Sequence, residues 1–402
     1  MNPELIDTLV SKKATKIIFL IMDGLGGLPR KPGGLTELET AETPNLDALA
    51  GRSTCGLLDP VGYGITPGSG PAHFALFGYD PVETNVGRGL LSAAGVDFSM
   101  SPKDLYARVN FATIDGEGVV TDRRAGRIDT ETNRRLCEKL KRGIDLGDDI
   151  EFFMEPEKEH RALMVLRGDG LSDALTDSDP EITGRKPLLP RALDAQSERA
   201  ADLAANMLEQ ARHILADEDR GSMILLRGFA CFRSLPSLRE RFGLRSLAIA
   251  EYPMYRGISR LLGMDVHPLT GSLQGQVAAL TEQYETYDFF FLHVKHTDSR
   301  GEDGDYDAKV AVIEEVDRLV PSILDHRPDV LVVTGDHSTP AVMSGHSWHP
   351  VPVLLASPLA RPDRVERFGE RDCIGGGFGR MPMMHLMGIA LAHAGRLSKY
   401  GA

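Results

Sequence analysis

Six side chains have the types that bind divalent cations and stand where they could do so together: Asp23, Asp298, Glu302, Asp336, His337 and His346. Imidazole with carboxylate is the usual ligand set of zinc, manganese and iron, and Asp336-His337 followed by His346 after a turn would put three ligands on one rim. Four carboxylates converging without cations would repel one another and raise their pKa values, so two divalent ions are the natural balance. Histidine is concentrated at this end of the chain, where His293, His296, His326, His349, His385 and His393 join the two candidates. Glu302 also reads as a solvated acid in the charged run from Arg300 to Asp307, and Lys295 or Arg300 could pair with one of the acids instead.

Ser69 is a candidate nucleophile. It sits in Thr66-Pro67-Gly68-Ser69-Gly70-Pro71-Ala72-His73, a turn followed by the apolar segment Phe74–Phe77 that could open a helix. Backbone N–H groups at a helix start favour a phosphoryl group, and a nearby metal would lower the hydroxyl pKa for attack. Most such glycine turns are only turns. Arginines gather in the middle of the chain: Arg123, Arg124 and Arg127, then Arg161 and Arg167, then Arg185 and Arg191. Guanidinium forks hold carboxylate and phosphate oxygens, which points to a small anionic substrate; surface ion pairs with Asp122, Asp129, Asp169 and Asp173 are the alternative.

Positioning such groups is the work of an α/β sheet. Ile17–Met22, Phe289–Val294, Val330–Val333 and Val351–Leu355 are apolar runs expected to be strands buried on both faces. Val310, Ile313, Val316, Val320 and Ile323 draw one apolar stripe on a helix between the second and third runs. Ligands collect at the carboxyl ends of strands in such sheets, and three runs end in Asp23, in Lys295-His296-Thr297-Asp298 and in Gly335-Asp336-His337. Residues 99–234 are richer in arginine and aspartate and are expected to form an inserted domain, leaving 1–98 and 235–402 as one discontinuous domain. Strand-like pieces in the insert fall at Leu163–Leu166 and Met223–Leu226.

Composition narrows the function. The chain has 402 residues, 45 Lys+Arg against 58 Asp+Glu, and 42% apolar residues, the balance of a compact globule. Its net charge of -13 disfavours a nucleic-acid partner, because phosphate contacts need cations in excess. Cys55, Cys137, Cys231 and Cys373 are scattered without a CxxC pair, and no apolar run is long enough for a signal peptide or membrane span, so the expected setting is cytoplasmic. Gly24-Leu25-Gly26-Gly27 lacks the dinucleotide spacing and no phosphate-loop Lys-Ser/Thr follows a glycine turn, so no nucleotide is expected. Gly375–Gly379 reads as a loop rather than a phosphate cradle.

Taken together, Asp23-Gly24-Leu25-Gly26, Thr43-Pro44-Asn45-Leu46-Asp47, Gly68-Ser69 with Ala72-His73, Phe77-Gly78-Tyr79-Asp80-Pro81, Asp122-Arg123-Arg124-Ala125-Gly126-Arg127, Arg256-Gly257-Ile258, Gly335–Pro340 and His346-Ser347 resemble the archaeal-type, cofactor-independent phosphoglycerate mutases of the alkaline phosphatase superfamily. The resemblance runs in order over nearly the whole chain. It implies an alkaline-phosphatase-like sheet domain flanked by helices and interrupted by a smaller α/β domain that grips a small phosphorylated substrate. It further implies interconversion of 3- and 2-phosphoglycerate through a phosphoserine at Ser69, without 2,3-bisphosphoglycerate. By the same resemblance Asp23, Ser69, Asp336 and His337 hold one of two metals (manganese, magnesium or zinc), and Asp298, Glu302 and His346 hold the other. Arg123, Arg124, Arg127, Arg161 and Arg256 are carried over as substrate contacts, with the domains closing to exclude water.

Three positions depart from that pattern. The family usually has Ser-Asp-Thr where this chain has Ser69-Gly70-Pro71, histidine at 302 and commonly lysine at 256. Glu302 would keep an oxygen ligand and favour manganese or magnesium over zinc. A phosphomonoesterase or phosphotransferase using the same serine and metals is the rival reading, and a metabolite-binding protein without catalysis is a second; the sequence leaves the oligomeric state open.

Overall fold

The computed structural model describes residues 3–84, 86–96 and 98–401. Its strands are β1 Ile17–Met22, β2 Thr54–Asp59, β3 Asp104–Ile114, β4 Val120–Asp122, β5 Glu151–Pro156, β6 Arg161–Arg167, β7 Met223–Cys231, β8 Ser246–Ala250, β9 Asp265–Val266, β10 Phe289–Val294, β11 Val330–Thr334, β12 Val351–Ala356 and β13 Gly379–Pro382. The chain divides into two compact units, Met1–Asn85 with Leu235–Ala402, and Val86–Ser234.

In the first unit, β1, β10 and β11 are runs of β-branched, aromatic and leucine side chains buried along their whole length, as strands covered on both faces must be. Among the described residues the sheet runs β13-β2-β12-β11-β1-β10-β8-β9. β12 is antiparallel to both neighbours and every other pairing is parallel. Register brings the key ends together: Met22 lies opposite Val294, and Ile21 opposite Thr334. Because β12 runs backwards, its start at Val351 lies on the same edge, so the loop 335–350 returns to the rim it left. β2 ends there too, with Leu58 opposite Val351.

The expected single stripe is two helices, Tyr306–Asp317 and Val320–Leu324. Ile313, Val316, Val320 and Ile323 are buried, but Lys309 rather than Val310 is the buried residue one turn earlier. Both positions lie one turn before Ile313, and the face that is buried runs through Lys309.

The second unit has antiparallel strands: β3 pairs with β6, β7 and, past a register shift, β4, while β5 pairs with β6. Thr130–Gly143, capped by Asp129, and Glu198–Ile214 cover it with Leu136, Leu140, Ala204, Met207, Leu208 and Ala211. Both strand-like pieces of the insert lie inside longer strands, β6 and β7. The second compact unit begins at Val86 and ends at Ser234. Helix Arg88–Gly95 packs on β3 and β7, and a Cβ on Gly89 would lie only 2.6 Å from the Tyr106 carbonyl, an approach only glycine allows.

Candidate metal centre and serine

Asp23 follows β1 directly, Asp298 lies in helix His296–Glu302 just after β10, and Asp336-His337 follow β11. Three adjacent parallel strands thus deliver three acids and an imidazole to one edge. Gly24 has φ +64° and a Cβ there would sit 2.5 Å from Thr339 Oγ1, so glycine is required where the β1 end turns under the β11 loop.

Ser69 is the first residue of helix Ser69–Leu76, earlier than the expected helix start near Phe74. No side chain caps this helix, and Pro71 is tolerated in the first turn because it has no N–H to leave unpaired. Ser69 Oγ lies 3.2 Å from His337 Nε2.

His337 Nε2 is also 3.3 Å from Asp23 Oδ1 and 3.1 Å from Asp336 Oδ2. Both carboxylate oxygens are buried without a hydrogen-bond partner. Burial, then Asp336, pushes the Asp23 carboxyl well above the usual range, and burial pushes Asp336 up to about 7. Burial, with His346 next, holds His337 neutral, well below its ordinary value. Lone pairs crowded at these separations, with neutral imidazole among them, are what one shared cation at about 2.1 Å from each would relieve. The residues therefore fit a divalent ion.

Asp298, His337 and His346 make a second potential ligand group. His346 Nε2 is 3.6 Å from Asp298 Oδ1, and Nδ1 faces the Pro67 carbonyl at 2.9 Å. A proton donated to that carbonyl from Nδ1 leaves Nε2 its lone pair. Glu302 Oε1 is 4.0 Å from His346 Nε2 with its side chain 55% exposed, so it stands at the edge of the group. Arg300 turns away to Asp303. Lys295 does pair with the acids: Nζ bonds Asp298 and lies 3.1 Å from Asp23 Oδ2. Burial opposes its charge, but Asp23 and Asp298 outweigh that and hold the ammonium above its ordinary value.

Behind the acids lies a layer not assigned from sequence. Tyr255 Oη donates to Asp23 Oδ2 at 2.5 Å, and the Tyr255 ring stacks with His73 and lies 3.9 Å from His293. His73 Nδ1 faces the Ser69 carbonyl at 2.8 Å, and burial lowers this imidazole to about 4. Tyr255 adjoins Arg256, and His73 lies within the serine motif, so their neighbours in sequence were the available signal.

The arginines separate. Arg123 pairs with buried Asp179, Nε and Nη2 donating at 2.9 and 2.8 Å, with its side chain 27% exposed. Asp122 instead accepts from the backbone of Arg124 and Gly126, holding a turn in which Ala125, Gly126 and Arg127 all have positive φ (49°, 64°, 51°). Strain of this kind collects at functional sites. Arg124 and Arg127 are exposed on that turn. Burial, and then the positive charge of Arg161, Arg124, Arg108 and Arg127, lowers His160 to about 4. Arg108, inside β3, was missed for want of any local motif. Arg256, in the first unit, donates from Nη1 to the carbonyls of Ala250 and His267. Arg167 is paired with Asp104.

Fold and site together define an α/β protein whose sheet edge carries a serine beside a divalent-cation type of centre. Residues 50–220 match the family model described as 2,3-bisphosphoglycerate-independent phosphoglycerate mutase. A Thermus thermophilus protein described as "Probable 2,3-bisphosphoglycerate-independent phosphoglycerate mutase" is 51% identical over 397 residues, 98% of either chain. An Aquifex aeolicus protein of the same description is 46% identical over 408 residues, 99% of this chain and 100% of that one. The solved cofactor-independent phosphoglycerate mutase from Thermoplasma acidophilum superposes with a TM-score of 0.69 at 30% identity, covering 94% of this chain and 100% of that one. The chain belongs to the 2,3-bisphosphoglycerate-independent phosphoglycerate mutase family.

Proposed function

We propose that the protein interconverts 3-phosphoglycerate and 2-phosphoglycerate, an intramolecular phosphoryl transfer carried by Ser69. The observation that carries the reading is the approach of Ser69 Oγ, at a helix start, to His337 Nε2, which itself lies 3.3 and 3.1 Å from buried oxygens of Asp23 and Asp336 that have no hydrogen-bond partner among the described residues. Family membership at 51% identity over 98% of the chain supports the substrate.

On this reading Asp23, Ser69, Asp336 and His337 hold one divalent ion and Asp298 and His346 the other, with Glu302 at its open side. Bound cations offset the carboxylate charge, lower the Ser69 hydroxyl pKa and stabilise the attacking and leaving oxygens of an in-line displacement. Ser69 Oγ bonds to phosphorus as the bond to the 3-oxygen breaks. The glycerate then presents its 2-hydroxyl, whose oxygen takes the phosphoryl group back and frees the serine. Backbone N–H groups of Ser69 and Gly70 in the uncapped first turn are oriented for phosphoryl oxygens. Arg124, Arg127, Arg161 and Arg256 are assigned to substrate oxygens; Arg108 joins them on the strength of its place near His160. Arg123 stays among the candidates, with its pairing to Asp179 orienting the guanidinium.

Manganese or magnesium is the preferred ion, since carboxylate outweighs imidazole and thiols are absent from the site. Four free thiols support a reducing, cytoplasmic setting. Among the described residues no helix is long and apolar enough to cross a membrane.

The test is a manganese-supplemented reaction of purified protein with 3-phosphoglycerate, following 2-phosphoglycerate and inorganic phosphate in the same tube. Formation of 2-phosphoglycerate with little free phosphate supports the mutase. Free phosphate alone overturns it in favour of a phosphomonoesterase.

A further inference from the structure

We propose that Thr339 is a positioning residue that couples the two ligand groups, its hydroxyl selecting the metal-ready tautomer of His337 while holding Asp298, and that Lys309 clamps Thr339 to the end of β1. This rests on the reading that the site holds divalent cations.

The hydroxyl of Thr339 donates to Asp298 Oδ1 at 2.7 Å and lies 2.9 Å from His337 Nδ1. A hydroxyl has one proton. Having given it to the carboxylate, Oγ1 can only accept from His337, which places the imidazole proton on Nδ1 and leaves the Nε2 lone pair aimed at Asp23, Asp336 and Ser69. One fully buried side chain therefore touches a member of each group and decides which nitrogen of their shared histidine can bind a cation.

Holding that hydroxyl in place requires its backbone to be fixed. Thr339 N–H donates to the carbonyls of Gly24 and Gly26 at 3.2 and 3.0 Å. Lys309, fully buried, donates from Nζ to the carbonyls of Gly24, Gly26 and Thr339 at 2.8, 3.1 and 2.9 Å. Three carbonyls match the three protons of an ammonium. A hydrocarbon side chain there would leave all three oxygens with a partner lost, which is the reason for a lysine on an otherwise apolar stripe. On the other side, a Cβ on Gly301 would lie 2.3 Å from the Thr339 carbonyl, so the helix bearing Asp298 is packed directly against the same residue.

Two measurements on the full chain test this. In metal-free wild type, nitrogen chemical shifts of labelled histidine should report His337 with its proton on Nδ1; a proton on Nε2 would overturn the proposal without any variant. Manganese titrated into chelator-stripped protein, with free ion read by electron paramagnetic resonance, should bind about 10–100-fold more weakly to Thr339→Val, the loss usual for outer-shell partners. Thr339→Ser, which keeps the hydroxyl, should restore most of that affinity. Equal affinity in wild type and Thr339→Val, or failure of Thr339→Ser to rescue while its melting temperature matches wild type, would overturn the coupling role. A wild type that binds no manganese would refute the cation reading itself, and the tautomer would still judge Thr339.

Discussion

Removing the cations should invert the usual pH dependence of stability at one residue, Asp336. Its carboxyl is fully buried and pushed up to about 7, above an unfolded value near 3.9. A carboxyl whose folded pKa is raised binds its proton more tightly when folded. Its penalty is therefore absent below about pH 4, grows between pH 4 and 7, and is complete above about pH 7. Three units at 1.36 kcal/mol each come to about 4 kcal/mol of stability lost by pH 8 relative to pH 4. Asp336→Asn keeps an acceptor for the Gly24 N–H and cannot ionise. In chelator-treated protein this variant should melt near wild type at pH 4–5 and above it at pH 8, by about 5 °C. Comparing the two proteins at each pH cancels the titrating groups that do not feel Asp336; Asp23, whose carboxyl Asp336 raises, is relieved in the variant and adds to the gap in the same direction. Manganese should reverse the order at pH 8, stabilising wild type far more than the variant, because binding requires the ionised form. Melting-temperature gaps that are the same at both pH values in metal-free protein would refute the argument that this site is an uncompensated carboxylate cluster.

Ser69→Ala should lose turnover by more than about a thousandfold, as loss of a nucleophile does, with an unchanged melting temperature, because the side chain makes one polar contact; a coupled 2-phosphoglycerate assay beside calorimetry checks this. Arg123→Ala should destabilise the second unit by about 2 kcal/mol in urea, since buried Asp179 keeps only the Glu181 N–H and Arg227 at 3.4 Å to balance its charge. Arg124→Ala should instead leave the urea midpoint in place and change kcat/KM, and the opposite pattern would show the arginine assignments reversed. Glu302→Gln should weaken manganese binding far less than His346→Ala, measured by equilibrium dialysis.

The sequence made the sheet edge legible because β1, β10 and β11 are mostly apolar runs with an acid within four residues of each carboxyl end. Composition does not encode direction, so nothing announced that β12 runs against its neighbours and brings the loop 335–350 back to the rim. β2 escaped notice because Gly56 interrupts its apolar run; that glycine is there because a Cβ would lie 2.7 Å from the Gly379 carbonyl. Lys309 was hidden for the opposite reason, a charged residue satisfied by backbone carbonyls that no side-chain pattern foretells. Arg123 belonged to a motif whose neighbours are exposed, yet its partner Asp179 is distant in sequence, so only the fold separates it from Arg124 and Arg127.

Ser69 is proposed to carry the phosphoryl group between two oxygens of one glycerate. The most direct measurement is acid quenching of the manganese-loaded protein during turnover of 3-phosphoglycerate, followed by peptide mass spectrometry. A phosphoryl group on the peptide holding Ser69, localised to that serine and lost as substrate is exhausted and removed, is the predicted result. Formation of 2-phosphoglycerate with no phosphoryl group on Ser69 at any quench time, or with one on another residue, would contradict it.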